Sequence, residues 1–124
     1  MTKEEKDLVY KDISARLPYD VTVHINDASL REHDTILYEE ILARFCNNQA
    51  IIRPYLRSLS SMTEEERKDM GKIVTTVYGG KVVDDDFVNV IKYIDWLNEH
   101  YFDYRGLIER GLAIEAPEGM YKFN

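Results

Sequence analysis

A single cysteine, Cys46, is all the chain holds, so no disulfide can form within it and a reducing, cytoplasmic setting is expected. No apolar run approaches the roughly 18 residues that a membrane span requires. The opening stretch MTKEEKDLVYKD lacks an apolar segment, so no signal peptide is expected. Cations are scarce: 16 Lys and Arg stand against 23 Asp and Glu, for a net charge of −7. That disfavours direct binding to nucleic acid, because phosphate contacts need clustered Lys and Arg. The signatures of bound metal and nucleotide are missing as well. The chain has no HExxH, no paired Cys–His spacing and no calcium loop. Gly79-Gly80-Lys81 lacks the spacing and terminal Ser or Thr of a phosphate loop, so no cofactor is expected. No internal repeat or low-complexity tract appears.

What is present fits one domain spanning 1–124, a size able to bury about two thirds of its unfolded surface. Thr2 and Glu5 form a capping box ahead of a helix over 3–16, with Val9, Ile13 and Leu17 on one stripe. Pro18 ends it. Val21, Val23 and Ile25 alternate with Thr22 and His24, which predicts a half-buried strand. Ile36, Leu37, Ile41, Leu42 and Phe45 recur at helical spacing, so a helix capped by Asp34 or Thr35 is expected within 28–48. A short strand over 50–53 should stop at Pro54. The stretch PYLRSLSSM at 54–62 reads as an irregular joint between sub-regions 1–53 and 63–124.

Thr63 and Glu66 repeat the capping box before a helix carrying Met70, Ile73, Val74 and Val77, closed at Gly79-Gly80. Asp84 or Asp85 can cap the next helix, which sets Phe87, Val90, Ile91, Ile94 and Leu97 on one face and makes it the most amphipathic helix of the chain. Asp103 can cap a short turn that stops at Gly111, and 112–114 can form a brief strand. The expected class is α+β: a mainly helical domain with a small sheet of two or three short strands.

Each chemical candidate competes with a structural explanation. Cys46, after Phe45 on an apolar helix, should pack in the core, and no activating base stands near it in sequence. His24, His33 and His100 can serve a metal-dependent hydrolase only if they converge with carboxylates in space. Asp84, Asp85 and Asp86 are accounted for as a helix start, where carboxylates cap and meet the positive end of the dipole. From Asp84 to Asp103 six carboxylates stand against one cation, Lys92, so this run also offers an acidic face. Tyr93, Trp96, Tyr101, Phe102 and Tyr104 crowd the same region, with Arg105 and Arg110 nearby. Aromatics with arginine are the composition of interface hot spots, while a core plug is the competing role for Trp96. The candidate interaction residues are therefore Trp96, Tyr101, Tyr104, Arg105, Asp84, Asp85 and Asp86.

Several phrases carry a resemblance: Leu17-Pro18-Tyr19, Arg53-Pro54-Tyr55-Leu56-Arg57, Ser60-Ser61-Met62-Thr63-Glu64-Glu65-Glu66, Asp95-Trp96-Leu97-Asn98, Phe102-Asp103-Tyr104-Arg105-Gly106-Leu107-Ile108, Gly111-Leu112-Ala113 and Glu115-Ala116-Pro117-Glu118-Gly119-Met120-Tyr121. In these the chain resembles a family of small proteins encoded by phages, prophages and mobile elements of anaerobic gut bacteria. That family has no established activity, so the resemblance implies genomic context and expression inside a bacterium, and no catalytic residues. The expectation is a non-enzymatic accessory protein that binds another protein. The alternatives are an acidic inhibitor or nucleic-acid mimic that fills a basic groove, and a small metal-dependent hydrolase.

Overall fold

A computed structural model describes residues 1–27, 29, 31–78 and 86–121, with the backbone alone for 74–78 and 86–89. Helix α1 (Lys3–Arg16) starts at the expected capping box: the Thr2 N–H donates to Glu5 Oε1 (2.8 Å), and the Glu5 N–H donates to Thr2 Oγ1 (3.1 Å). Its inward stripe, Val9 and Ile13, is fully buried. Pro18 allows one further 3-10 turn, Leu17–Tyr19, which ends at Asp20 in the left-handed region (φ 56°). Strand β1 (Thr22–Asp27) follows, and Val21, Val23 and Ile25 point into the core as the alternation required.

The helix expected within 28–48, starting at Asp34 or Thr35, is shorter and begins later. His33–Ile36 is a strand, β2, antiparallel to β1 with Thr22 opposite Ile36 and Ile25 opposite His33. Only Glu39–Cys46 is helical (α2), and neither Asp34 nor Thr35 caps it: its N-cap is Tyr38, without a side-chain hydrogen bond. Ladder pairing to β1, continued by the Leu37 N–H to the Val21 carbonyl (2.9 Å), outweighs the helical spacing of Ile36 and Leu37. Glu39 and Glu40 do occupy the first turn of α2, and Ile41 and Phe45 face the core.

Strand β3 (Ala50–Leu56) runs through Pro54 instead of ending there. The proline is tolerated because β4 (Ile114–Glu115) pairs only with Tyr55 and Leu56, so one edge of β3 carries no ladder at Pro54. Beyond Leu56 the expected irregular joint is stitched to the C-terminal part of the chain. Arg57 pairs with Phe102 in a parallel bridge: the Arg57 N–H reaches the Tyr101 carbonyl (2.8 Å), and the Asp103 N–H reaches the Arg57 carbonyl (2.8 Å). A 3-10 turn, Leu59–Ser61, leads to α3 (Glu64–Tyr78), and α4 is Asp86–Glu99. The α3 capping box is made, with the Thr63 N–H on Glu66 Oε1 (2.9 Å) and the Glu66 N–H on Thr63 Oγ1 (3.1 Å). The glycine stop at 79–80 and the caps at Asp84 or Asp85 lie outside the described residues, as do the side chains of Val74, Val77 and Phe87.

The fold is α+β, with a mixed sheet of four strands in the order β2-β1-β3-β4, where two or three were expected. One face carries Val21, Val23, Ile25, Ile52 and Leu56 against α1, α2, Leu107, Leu112 and Ala113. A second cluster joins Trp96, Leu97 and Phe102 to half-buried Met62, Met70, Ile73 and Tyr93. Along the apolar face of α4, burial among the described side chains is confined to its end. Leu97 is 3% exposed, but Val90, Ile91 and Ile94 are 45%, 43% and 39% exposed. Trp96, Leu97 and Asn98 in the last turns of α4 are buried, and Tyr93 one turn earlier is half-buried, its hydroxyl donating to Met70 Sδ of α3 (3.6 Å).

Candidate interaction surface

The candidate aromatics are held largely as internal struts. Trp96 is buried, its ring stacked on His100 (4.3 Å between centroids, 27° between planes) and on Phe102 (5.6 Å). The Arg57 guanidinium lies 4.3 Å over the Phe102 ring, closing the stack from the β3 side. Tyr101 adopts the left-handed backbone region (φ 62°), donates its hydroxyl to the Tyr19 carbonyl and stacks on Tyr121 at 3.7 Å. Burial raises the Tyr101 hydroxyl above its ordinary value, and Asp20 and Glu99 add to that.

Tyr104 is half-buried between two guanidinium groups, Arg16 at 5.3 Å and Arg105 at 4.9 Å from its ring. Its hydroxyl donates to Asn98 Oδ1 (2.9 Å). Arg16 and Asp12 are both fully buried one turn apart on α1, joined through Arg16 Nε and Nη2, each 3.0 Å from one Asp12 oxygen. Nη2 also donates to the Phe102 carbonyl (2.7 Å), and Arg105 Nε reaches Asp12 Oδ1 (3.3 Å). Among the described residues Arg16 Nη1 finds no protein partner. Arg105 is therefore committed to Asp12 and Tyr104, with its side chain 26% exposed.

The acidic run does not extend as an exposed face to Asp103. Asp84 and Asp85 lie outside the described residues, as does the side chain of Asp86. Asp103 is buried, and its two oxygens accept from the Leu107 N–H (2.8 Å) and the Ile108 N–H (2.9 Å), the turn cap read from the sequence. Asp95 and Glu99, one helical turn apart on α4, are exposed. After burial, these two carboxylates are the next causes that raise the Tyr19 hydroxyl.

Cys46 is exposed and not a core residue, because the buried stripe of α2 runs through Ile41 and Phe45 and leaves the next position turned outward. It borders a groove of about 580 Å³ with Lys6, Tyr10, Phe45 and Asn48, and among the described residues no histidine lines it to activate the thiol. Among the histidines, His24 meets carboxylates. It lies between Glu32 and Asp34, 2.7 Å from each, but they occupy opposite ring nitrogens and do not converge on a common point. Among the described residues no group of three or more His, Cys, Asp or Glu can hold a metal ion.

Residue spacing did not single out the surface that stands out in three dimensions. Val90, Ile91 and Ile94 form an apolar row on α4, bordered by exposed Asp95 and Lys92 and by Glu99 one turn beyond. Helical periodicity showed that this face is apolar; whether the body of the protein covers it depends on where α4 is anchored. No helix among the described residues is long and apolar enough to cross a membrane. Comparison with protein-family models, curated proteins and solved structures finds no match to this chain.

Proposed function

We propose that the chain is a non-enzymatic protein-interaction module, acting inside the cell as an accessory protein of a phage or mobile element. The apolar row Val90, Ile91 and Ile94 carries this reading, because side chains of this kind exposed side by side on a helix are normally covered by a partner. The partner class follows from the border. Asp95 and Glu99 face it against one cation, Lys92, so the complementary surface is a protein apolar at its centre and basic at its margin. The genomic setting rests on the sequence resemblance alone.

A second reading, an acidic inhibitor or nucleic-acid mimic, is favoured by the same exposed pair, Asp95 and Glu99. It draws nothing from Asp103, whose carboxylate is spent on the turn at Leu107 and Ile108. One experiment separates the two readings. The wild-type chain, an Ile91→Ser/Ile94→Ser variant and an Asp95→Asn/Glu99→Gln variant are used as bait in native-host extract, with the captured proteins identified. The interaction reading expects a partner that the serine variant loses and the amide variant only weakens. Loss confined to the amide variant supports the inhibitor reading. A folded wild-type chain that captures nothing and stays monomeric at high concentration overturns both.

A further inference from the structure

His24 occupies the middle of β1 on the face of the sheet opposite Val23 and Ile25, and both of its nitrogens meet carboxylates. Nδ1 is 2.7 Å from Asp34 Oδ1, and Nε2 is 2.7 Å from Glu32 Oε1. A neutral imidazole has one N–H and one lone pair, so only the imidazolium can donate to both. The two carboxylates are held differently. Asp34 is the register partner of His24 in the β1–β2 ladder, and its two oxygens also accept from the Tyr55 hydroxyl at 3.0 and 3.1 Å. Glu32 precedes β2, stands outside the ladder, and is 58% exposed. On the other side β3 sets Arg53 opposite His24, a cation that works against a second positive charge beside it.

The far end of the same connection is fixed by groups of another kind. Asp27 accepts from Arg44 Nε (2.6 Å) and Nη2 (2.9 Å), and Ser29 joins them through its N–H and hydroxyl, both 2.8 Å from Asp27 Oδ1. Hydrogen bonds from Arg44 hold the Asp27 carboxyl well below the usual carboxylate range, so this anchor does not titrate near neutrality.

We propose that His24 is a proton-operated latch: its imidazolium holds the segment before β2 against the sheet through Glu32, and loss of one ring proton releases Glu32 while Asp34 stays bound. Asp34 keeps the remaining proton because the ladder and Tyr55 fix it in place. The lone pair left on Nε2 then faces a carboxylate, and the two repel. The hydrogen bonds to Glu32 and then Asp34 raise His24 above its ordinary 6.5, against a smaller opposing effect of burial. The latch is therefore shut below that value and opens as pH rises through the raised one. It does not depend on the α4 surface.

Titration of the histidine ring and backbone signals by NMR, from about pH 5 to about pH 9, tests this directly. His24 should titrate above the ordinary imidazole value, and the amides of 31–33 should shift with the same midpoint while that of Ser29 stays put. Glu32→Gln should lower the His24 midpoint by about half a unit or more, since it removes one of the two anions. Amides of 31–33 that ignore the His24 titration overturn the proposal, as does a Glu32→Gln midpoint equal to that of the wild type. The wild-type titration decides the matter even if the variant does not fold.

Discussion

Arg57 closes a two-pronged ion pair on Glu66, each guanidinium nitrogen 2.7 Å from its own carboxylate oxygen. The pair ties the end of β3 to the first turn of α3, and Arg57 also lies against Phe102. These hydrogen bonds, ahead of all other causes, hold the Glu66 carboxyl at about 2 against an ordinary 4.5. A depressed carboxylate contributes stability that is present above its unfolded value and is lost as pH falls through its folded one. Denaturant midpoints of the wild type should therefore fall between pH 4.5 and about 2. Glu66→Gln should show a shallower fall over the same window. Asp27 is depressed by Arg44 and works in the same direction, so the slope is reduced and not abolished.

The buried pair on α1 should be costly to break and cheap to replace. Asp12→Ala leaves the Arg16 guanidinium buried without its counter-charge, an expected loss of about 3–5 kcal/mol. Asp12→Leu with Arg16→Met should recover most of that, because apolar side chains of similar size remove the unpaired charge along with its partner. Equilibrium urea unfolding of the two variants measures the difference.

The Tyr121 hydroxyl bridges two strands: it accepts from the Thr22 N–H (3.0 Å) and donates to the Tyr55 carbonyl (2.7 Å). Burial pushes that hydroxyl up to about 12. Tyr121→Phe keeps the ring stacked on Tyr101 and removes only the bridge. The expected cost is about 1–3 kcal/mol, read from thermal or chemical unfolding.

Gly111 sits at φ 74°, where a Cβ would meet nothing within 4 Å. The turn needs the conformation because the Leu112 N–H returns to the Leu107 carbonyl (2.9 Å). Gly111→Ala should therefore cost about 1–2 kcal/mol through the backbone alone. A larger loss would point to steric conflict, which the open space around the position does not support.

Two apolar residues three apart on α4 should respond with very different magnitudes. Leu97→Ala empties a site that is 3% exposed, with an expected loss of about 2–5 kcal/mol. Ile94→Ala, at a position 39% exposed, should shift stability by no more than about 0.5 kcal/mol. Comparing the unfolding midpoints of the two variants checks whether α4 carries a free face.

Where a signal was local, the sequence was legible. Both capping boxes, the Pro18 stop, the β1 alternation and the Asp103 turn involve residues within five positions of one another, and all are formed. Strand β2 was hidden because Ile36 and Leu37 continue the spacing of Ile41 and Phe45, and only pairing with β1 decides between helix and strand. Pro54 looked like a stop because its neighbour β4 lies far along the chain and covers only part of β3. The candidate aromatics were visible as a cluster. Their enclosure was not, since Arg16, which supports both Phe102 and Tyr104, stands 86 positions before Phe102. His24 showed as an outward residue on a strand, but its two carboxylates are fixed by the hairpin register and the path before β2.

The parallel pairing of β3 with β4 also orders events during synthesis. Tyr55 and Leu56 leave the ribosome long before Ile114 and Glu115, their partners. Until that late segment arrives, β3 presents unpaired backbone groups along one side, a template for pairing with other nascent chains. Pro54 and the brevity of the open stretch limit that hazard. Contacts between such distant positions make completion of the sheet a slow step, so truncated translation products should be the species most prone to aggregate.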